Sequence, residues 1–353
     1  MVKKSQDNFS WDFLFAYFSQ MKINYSFIIP VYNRPDEVEE LLTSFTSFTT
    51  KIPFEVVLVE DGSSISSKSI VDEFASRLNL SYFEKENTGP GDSRNYGMKR
   101  AKGNFFIILD SDVILPENYL DEVESYLSNN RVDCFGGPDA AHQVFSPIQK
   151  AINFVMTSFL TTGGIRGKKN AVKEYEPRSF NMGISKKAFL ATEGFGKIHP
   201  GEDPDLAIRI KNEGFKTGFI EKAFVYHKRR IDWRKFFVQV NKFGKVRPIL
   251  TSWHPETSSI VFWFPTCFIL SILVALGVLL LEFYLPLALV LGYLCLIFLL
   301  SSLENKSLKI GLLSVMALLI QFYGYGVGFL KSTYYIRLLK RKPKEVFPEL
   351  FFE

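Results

Sequence analysis

Two aspartates one residue apart, Asp110 and Asp112, close the apolar run Phe105–Leu109 in the stretch NFFIILDSDVILP, residues 104–116. The run has the length and composition of a strand buried on both faces. An unpaired carboxylate at the end of such a strand costs several kcal/mol or gives up its charge. The pair therefore calls for a cation. Hard oxygen ligands suit Mg²⁺ or Mn²⁺, ions that keep waters and complete their shell with a substrate's phosphates. Asp and Ser are also ordinary turn formers, and the tripeptide alone does not separate the two readings.

The elements around it must position that pair. Tyr25–Val31 (YSFIIPV) reads as a first buried strand, leaving through Tyr32-Asn33-Arg34-Pro35 into a helix with Asp36 as the expected N-cap. A second strand, Phe54–Val59, runs into Glu60-Asp61-Gly62-Ser63; Ile70–Leu78 reads as a helix and Leu80–Phe83 as a short third strand. The loop ENTGPGDSR, residues 86–94, then opens a helix carrying Arg94, Asn95 and Lys99. Strands alternating with short helices predict a parallel, doubly wound sheet, whose ligands sit outside the carboxyl ends of the strands. Asn33, Asp61, Asp110 and Asp112 all fall on that edge. A sugar nucleotide needs such a set: an acceptor such as Asp61 for base and ribose, a metal on Asp112 for the pyrophosphate, and a helix N-terminus near Gly91 with Arg94 for the remaining charge.

Downstream the pattern weakens. Gly136-Gly137-Pro138 is placed to close the donor side, and Thr161-Thr162-Gly163-Gly164 with Arg166, Lys168 and Lys169 reads as a basic loop, either lid or plain connector. Asn181-Met182-Gly183 reads as a short strand turning into a helix. In Gly201-Glu202-Asp203-Pro204 the spacing predicts Asp203 as a helix N-cap with Pro204 at the first helical position, a role that needs no catalysis. His227 follows what reads as the sheet's last strand, with Arg229 and Arg230 beyond it.

SFIIPVYNR, VVLVEDGS, ENTGPGDSRNYGMKRAKGNFFIILDSD, NMGISKKAFLATEGF and GEDPDLAIRIKNEGF resemble, in order, the motifs of family-2 glycosyltransferases of the GT-A fold. The resemblance covers roughly Tyr25 to His227. It implies a Rossmann-like, mostly parallel sheet and inverting transfer of a sugar from a nucleotide-diphosphate donor. It makes Asp61 the base-binding acid, Asp110 and Asp112 the metal-binding pair, and Asp203 the base that takes the acceptor's proton, with Glu202 as the alternative. It makes His227 a further metal ligand or a diphosphate contact. The candidate donor-binding set is Pro30, Tyr32, Asn33, Asp61, Arg94, Asp110 and Ser111; the candidate metal set is Asp110, Asp112 and His227.

The remainder of the chain is of another kind. Apolar residues make up 47% of the 353, and from about Ile260 they form long uncharged runs. The net charge of +5 is modest, and basic clusters at 228–230, 242–247 and 340–344 flank those runs, which favours anionic lipid headgroups over nucleic acid. Cys134, Cys267 and Cys295 show no metal-type spacing. The aromatic segment FSWDFLFAYF is too short for a secretory signal, which places the first domain in the cytosol. Ile231 to Arg247 reads as a basic, aromatic helix lying in a bilayer interface or packed on the domain. The runs 260–281, 285–303 and 310–330 each approach the ~20 residues that span hydrocarbon. Three crossings would part the catalytic domain from the tail, yet both flanks are basic; one run, with Pro286 the candidate, is then re-entrant or interfacial.

The organisation expected is an aromatic segment (1–22), a GT-A domain (23–230), a basic amphipathic helix (231–255), transmembrane helices (256–331) and a basic tail (332–353), in a multi-pass membrane protein. Its partners would be a nucleotide sugar, membrane lipids and a lipid-linked or membrane-held glycan acceptor. Two alternatives stand beside this reading: transfer to a polyprenyl phosphate, resembling dolichol-phosphate mannosyltransferases, and a non-catalytic membrane assembly protein with a decayed sugar-nucleotide-binding domain. A processive synthase lacks support, because no Gln-x-x-Arg-Trp element is present.

Overall fold

The computed structural model describes residues 24–140, 145–163, 176–228 and 232–352. The expectations for the 1–22 segment and for Gly164, Arg166, Lys168, Lys169, Arg229 and Arg230 lie outside the described residues.

Strands β1 (Tyr25–Val31), β2 (Phe54–Asp61), β3 (Leu80–Lys85) and β4 (Phe105–Leu109) alternate with helices α1 (Pro35–Thr46), α2 (Lys68–Phe74) and α3 (Pro90–Arg100). These four strands pair in parallel, in the order β3-β2-β1-β4. Both faces are covered. Phe27, Ile29, Ile107 and Leu109 pack with Leu41, Phe45 and Val123 on one side. Ile28, Phe106 and Ile108 pack with Met98, Ile184 and Leu206 on the other. Burial on alternate faces is why these strands read as unbroken apolar runs.

The chain continues through β5 (Val113–Ile114), α4 (Tyr119–Asn129), β6 (Cys134–Gly136), β7 (Asp139–Ala140), α5 (Pro147–Thr157) and α6 (Phe159–Thr162). Then come β8 (Asn181–Ser185), α7 (Lys186–Thr192), α8 (Glu202–Asn212), β9 (Thr217–Phe219) and β10 (Val225–His227). Strand β8 enters antiparallel beside β4, and the full order is β3-β2-β1-β4-β8-β6-β9. The sheet is mostly parallel, as expected. β10 is not its last strand: it forms a separate sheet, β5-β10-β7. Its partner β5 begins one residue after Asp112, and the register sets His227 opposite Val113. That pairing carries His227 to the aspartates.

Three local expectations are corrected. Helix α1 begins at Pro35, so Asp36 lies inside its first turn and is not the N-cap. Strand β2 runs on through Glu60 and Asp61, so these acids are buried strand residues. Helix α8 begins at Glu202 behind Gly201, whose φ of +120° suits glycine and which offers no side chain to cap with. Asp203 is thus the second helical residue, where a carboxylate still meets the positive end of the helix.

The last elements are α9 (Trp233–Trp253), α10 (Phe264–Leu279), α11 (Leu285–Asn305) and α12 (Leu308–Ser332). Segments Ile260–Leu279, Leu285–Asn305 and Leu308–Leu338 are long and apolar enough to cross a membrane. The first opens with the 3₁₀ turn Ile260–Trp263, and the last ends in the π-helical turn Thr333–Leu338. Leu273, Leu280, Leu289, Leu303 and Leu312 are exposed, an apolar exterior that only lipid or protein can cover. Helix α9 is pressed against α12. A Cβ on Gly244 would lie 2.1 Å from the Tyr325 carbonyl oxygen, and one on Gly328 would lie 2.3 Å from that of Asn241. Helix α5 joins this helical unit, burying Ile152, Val155 and Met156 with Phe236, Val240 and Phe322. Beyond α12 the chain returns: Phe347 and Leu350 are buried with Ile198, Val246, Ile249 and Ile336.

Candidate active site

The loop after β4 and the end of β10 meet. One ligand atom each of Asp110, Asp112 and His227 lies within 4.8 Å of the others. Asp112 Oδ1 is 3.2 Å from His227 Nε2, and its Oδ2 accepts from Arg34 at 3.0 Å. His227 is held edge and face: Nδ1 lies 3.7 Å from Asp139 Oδ2, and the ring stacks on Phe180 at 4.9 Å. A carboxylate behind an imidazole fixes its orientation and raises its basicity toward a ligand. Two carboxylates and one imidazole fit a divalent ion of the Mg²⁺ or Mn²⁺ type, the imidazole favouring the softer Mn²⁺.

Arg94 forms the centre of the site. From α3 its guanidinium donates to Asp110 Oδ1 at 2.7 Å and to Glu202 Oε1 at 3.0 Å. Burial works against its charge, and the two carboxylates more than offset this, so its pKa is raised. Glu202 also meets His199 Nδ1 at 2.9 Å. Burial would push the Glu202 carboxyl up, but His199 and Arg94 hold it down at about 2. The same contact raises the His199 imidazole despite the opposing effect of burial. Glu202 is therefore an ionised, cation-bound group. Asp203, beside it, accepts a long bond from the Ser179 amide at 3.4 Å and lies 3.9 Å from Arg178.

Arg34, Arg94, Asp110, Asp112, Glu202, Asp203 and His227 line one cleft of about 1200 Å³. Its walls continue along α9 through Gln239, Lys242 and Arg247 to Val261, Phe264 and Pro265 before and within α10, and to Gln321 and Tyr325 of α12. The other candidate residues do different work. Asn33, at φ 53°, accepts from the amides of Ser64 and Ile65 at 2.8 and 3.0 Å, tying the β1 loop to the β2 loop. Asp61 accepts from Lys85 at 2.5 Å and from the amides of Thr88 and Gly89 at 3.1 and 3.0 Å. It thereby shapes the loop that opens α3. Pro30 lies inside β1, Tyr32 is exposed just beyond it, and Ser111 is buried between the two aspartates. None of these five is on the cleft lining.

Sequence reading passed over Lys85, Asp139, Phe180 and His199. His199 stands three residues before Glu202, but a loop residue so placed has no periodic signature. Asp139 stands after Gly136-Gly137-Pro138, and only the β10 pairing puts it behind His227.

Residues 26–189 match the family described as glycosyl transferase family 2. The poly(ribitol-phosphate) beta-N-acetylglucosaminyltransferase TarS of Staphylococcus aureus is 33% identical over 114 residues, 31% of this chain and 20% of that protein. Glycosyltransferase AglE of Haloferax volcanii is 34% identical over 115 residues, 32% of this chain and 38% of that protein. The match thus spans a fifth to about two-fifths of these curated relatives. Among solved structures, a mannosyltransferase from Pyrobaculum calidifontis in complex with GDP-Man and Mn²⁺ superposes with a TM-score of 0.54 at 17% identity, covering 92% of this chain and 89% of that one. The parallel sheet, the acid pair behind β4 and the sequence match agree: residues 26–189 are a glycosyl transferase family 2 domain with the GT-A fold.

Proposed function

We propose that this protein is an inverting, metal-dependent glycosyltransferase that moves a sugar from a nucleotide-diphosphate donor to an acceptor held at the membrane. The observation that carries this is the continuity of the cleft, from Asp110, Asp112 and Asp203 at one end to Val261, Phe264 and Tyr325 of the apolar segments at the other. An acceptor with a polar head and an apolar anchor fits such a space.

Asp110, Asp112 and His227 would hold a Mg²⁺ or Mn²⁺ ion, which when bound neutralises the donor's diphosphate. Asp203 takes the proton of the acceptor hydroxyl as that oxygen attacks the anomeric carbon. The bond to the donor phosphate breaks on the opposite face, and the nucleoside diphosphate leaves with the electron pair. Glu202 is the poorer base, since a carboxylate held at about 2 by two cations has little proton affinity. Its role is to fix Arg94, and through it Asp110.

The lining also includes Arg178, Lys242 and Arg247, which favours a phosphate-bearing acceptor, and a phosphate oxygen as the nucleophile is the second reading. It needs little general base. Donor transfer to membrane lipid extracts, compared between wild type and Asp203→Asn, separates the two: loss of about 10²-fold or more in kcat supports the hydroxyl acceptor, and near-full activity supports the phosphate. Absence of UDP- or GDP-sugar binding in calorimetry with Mn²⁺ overturns both and leaves the assembly-protein reading.

The packing also bears on topology. In the hairpin of α11 and α12, Ser301 and Ser314 hydrogen-bond at 2.7 Å. Sixteen residues from that pair, on the two arms, stand Leu285 and Leu330 at one depth. The Trp263 ring lies 5.0 Å from that of Phe329 near this end, and Phe264 and Phe268 both lie against Tyr293 and Phe322, so the first turns of α10 run across the pair. This packing favours a segment between Trp263 and Leu285 that leaves and returns on one side. We read α11 and α12 as the crossing pair and α10 as interfacial, in place of the Pro286 run. An even number of crossings puts the tail on the side of the catalytic domain, where the two touch. The basic residues Lys331, Arg337 and Lys340–Lys342 make that side the cytosol.

A further inference from the structure

The segment after α12 does more than cover apolar surface. Leu350 O accepts from the His199 amide at 2.7 Å, Phe352 N donates to Lys197 O at 3.0 Å, and Phe351 bridges to Ile198. These contacts run along the loop that carries His199, the partner of Glu202. The Phe352 ring then rests on Gly89: a Cβ built there would lie 2.4 Å from the ring. Gly89 donates its amide to Asp61. A single short stretch thus touches both loops that hold the donor-side acids in place, one through Glu202, Arg94 and Asp110, the other through Asp61.

The stretch is itself anchored at the membrane side. Leu350 and Phe347 are buried against α9 and Ile336, and Glu349 pairs with Lys245 at 2.9 Å. The contacts at Phe352 are of a different sort, because that ring is half-buried and sits at the end of the run. Its removal opens no core cavity. What it removes is the weight on Gly89, a residue at φ +94° with no side chain of its own to hold the turn.

We propose that Phe352 is a positioning residue for the donor site, coupling the membrane-anchored tail to the Glu86–Gly91 and Lys197–Gly201 loops. The inference rests on the reading of this site as a nucleotide-sugar site. In the full-length protein, Phe352→Ala raises the donor KM, and the Kd for UDP or GDP with Mn²⁺, by about tenfold, an effect of about 1.4 kcal/mol. The expected change in kcat is small, and Phe352→Leu restores affinity. Amide hydrogen exchange at residues 88–89 and 197–201 accelerates in Phe352→Ala and returns toward wild type in Phe352→Leu. Unchanged nucleotide affinity together with unchanged exchange overturns the proposal, as does a fall in kcat with KM unaltered. Should wild type bind neither nucleotide, the donor reading fails by itself. The exchange rates then decide the positioning role: acceleration at the two loops supports it, and unchanged rates end it.

Discussion

Arg94 and Asp110 are joined by a 2.7 Å hydrogen bond between a buried guanidinium and the first acid of the Asp110-Ser111-Asp112 pair, with Glu202 on the same guanidinium's other arm. The charge that sequence reading assigned to the diphosphate is thus already engaged with two carboxylates. Arg94→Met leaves Glu202, 3% exposed, without one of its two cationic partners, the one that carries its charge at every pH. Removing one partner of a buried pair costs about 3 kcal/mol or more, so this variant should unfold at clearly lower denaturant concentration. Arg94→Lys keeps the charge but not the fork; it should fold and lose Mn²⁺ and donor binding. Equal stability for Arg94→Met and wild type contradicts the account.

The metal reading makes its own demand on residues outside the aspartates. Asp112→Asn should abolish nucleotide-dependent Mn²⁺ binding measured by calorimetry or electron paramagnetic resonance. Asp139→Asn, at the residue behind His227 and 3.7 Å from its Nδ1, should weaken it by about tenfold. Undiminished ion affinity in Asp112→Asn removes the metal from this site.

Much of this centre was legible beforehand, and the limits of legibility have physical causes. Asp110 and Asp112 could be found because an unbroken apolar strand precedes them and carboxylates do not end such strands without reason. Strand order was half legible: alternation shows which segments pair in parallel, but β8 and β10 are five and three residues long, too short for a period to show direction or sheet. Asp203 was read as a cap because Gly201, which the turn requires at φ +120°, carries no capping side chain to reveal the start. The tail contact was illegible, since residues more than 150 positions apart meet only once the helices are packed.

The His199–Glu202 contact predicts a pH window. The His199 imidazole is raised in the fold, so its contribution is complete below the ordinary value of about 6.5 and is lost as pH climbs through the raised value. The Glu202 carboxyl is lowered to about 2, so its contribution is complete above about 4.3 and is lost as pH falls toward 2. Both hold together between these limits. The stability advantage of wild type over His199→Gln, from thermal unfolding, should be greatest between about pH 4.3 and 6.5 and shrink as pH climbs through the raised His199 value. An advantage that grows steadily as pH rises above about 6.5 has the wrong sign for this pair.

Membrane topology can be decided with two introduced cysteines, one at a time, in a Cys267→Ser, Cys295→Ser background; those two native thiols are exposed and the third, Cys134, is buried. If α10 does not cross, the turn Leu280–Tyr284 lies on the side of the catalytic domain, and the turn Lys306–Ser307 between α11 and α12 lies opposite. In sealed inverted vesicles an impermeant maleimide should label Glu282→Cys and spare Lys306→Cys until the membrane is opened; in intact cells the pattern should reverse. The α-helical part of α10, 16 residues or about 24 Å, reaches the roughly 30 Å of hydrocarbon only together with the 3₁₀ turn Ile260–Trp263 ahead of it, so length leaves the question to the labels. Labelling of Glu282→Cys from the outside of intact cells would mean that α10 crosses, and the tail could then reach the Lys197–Gly201 loop only if another helix failed to span.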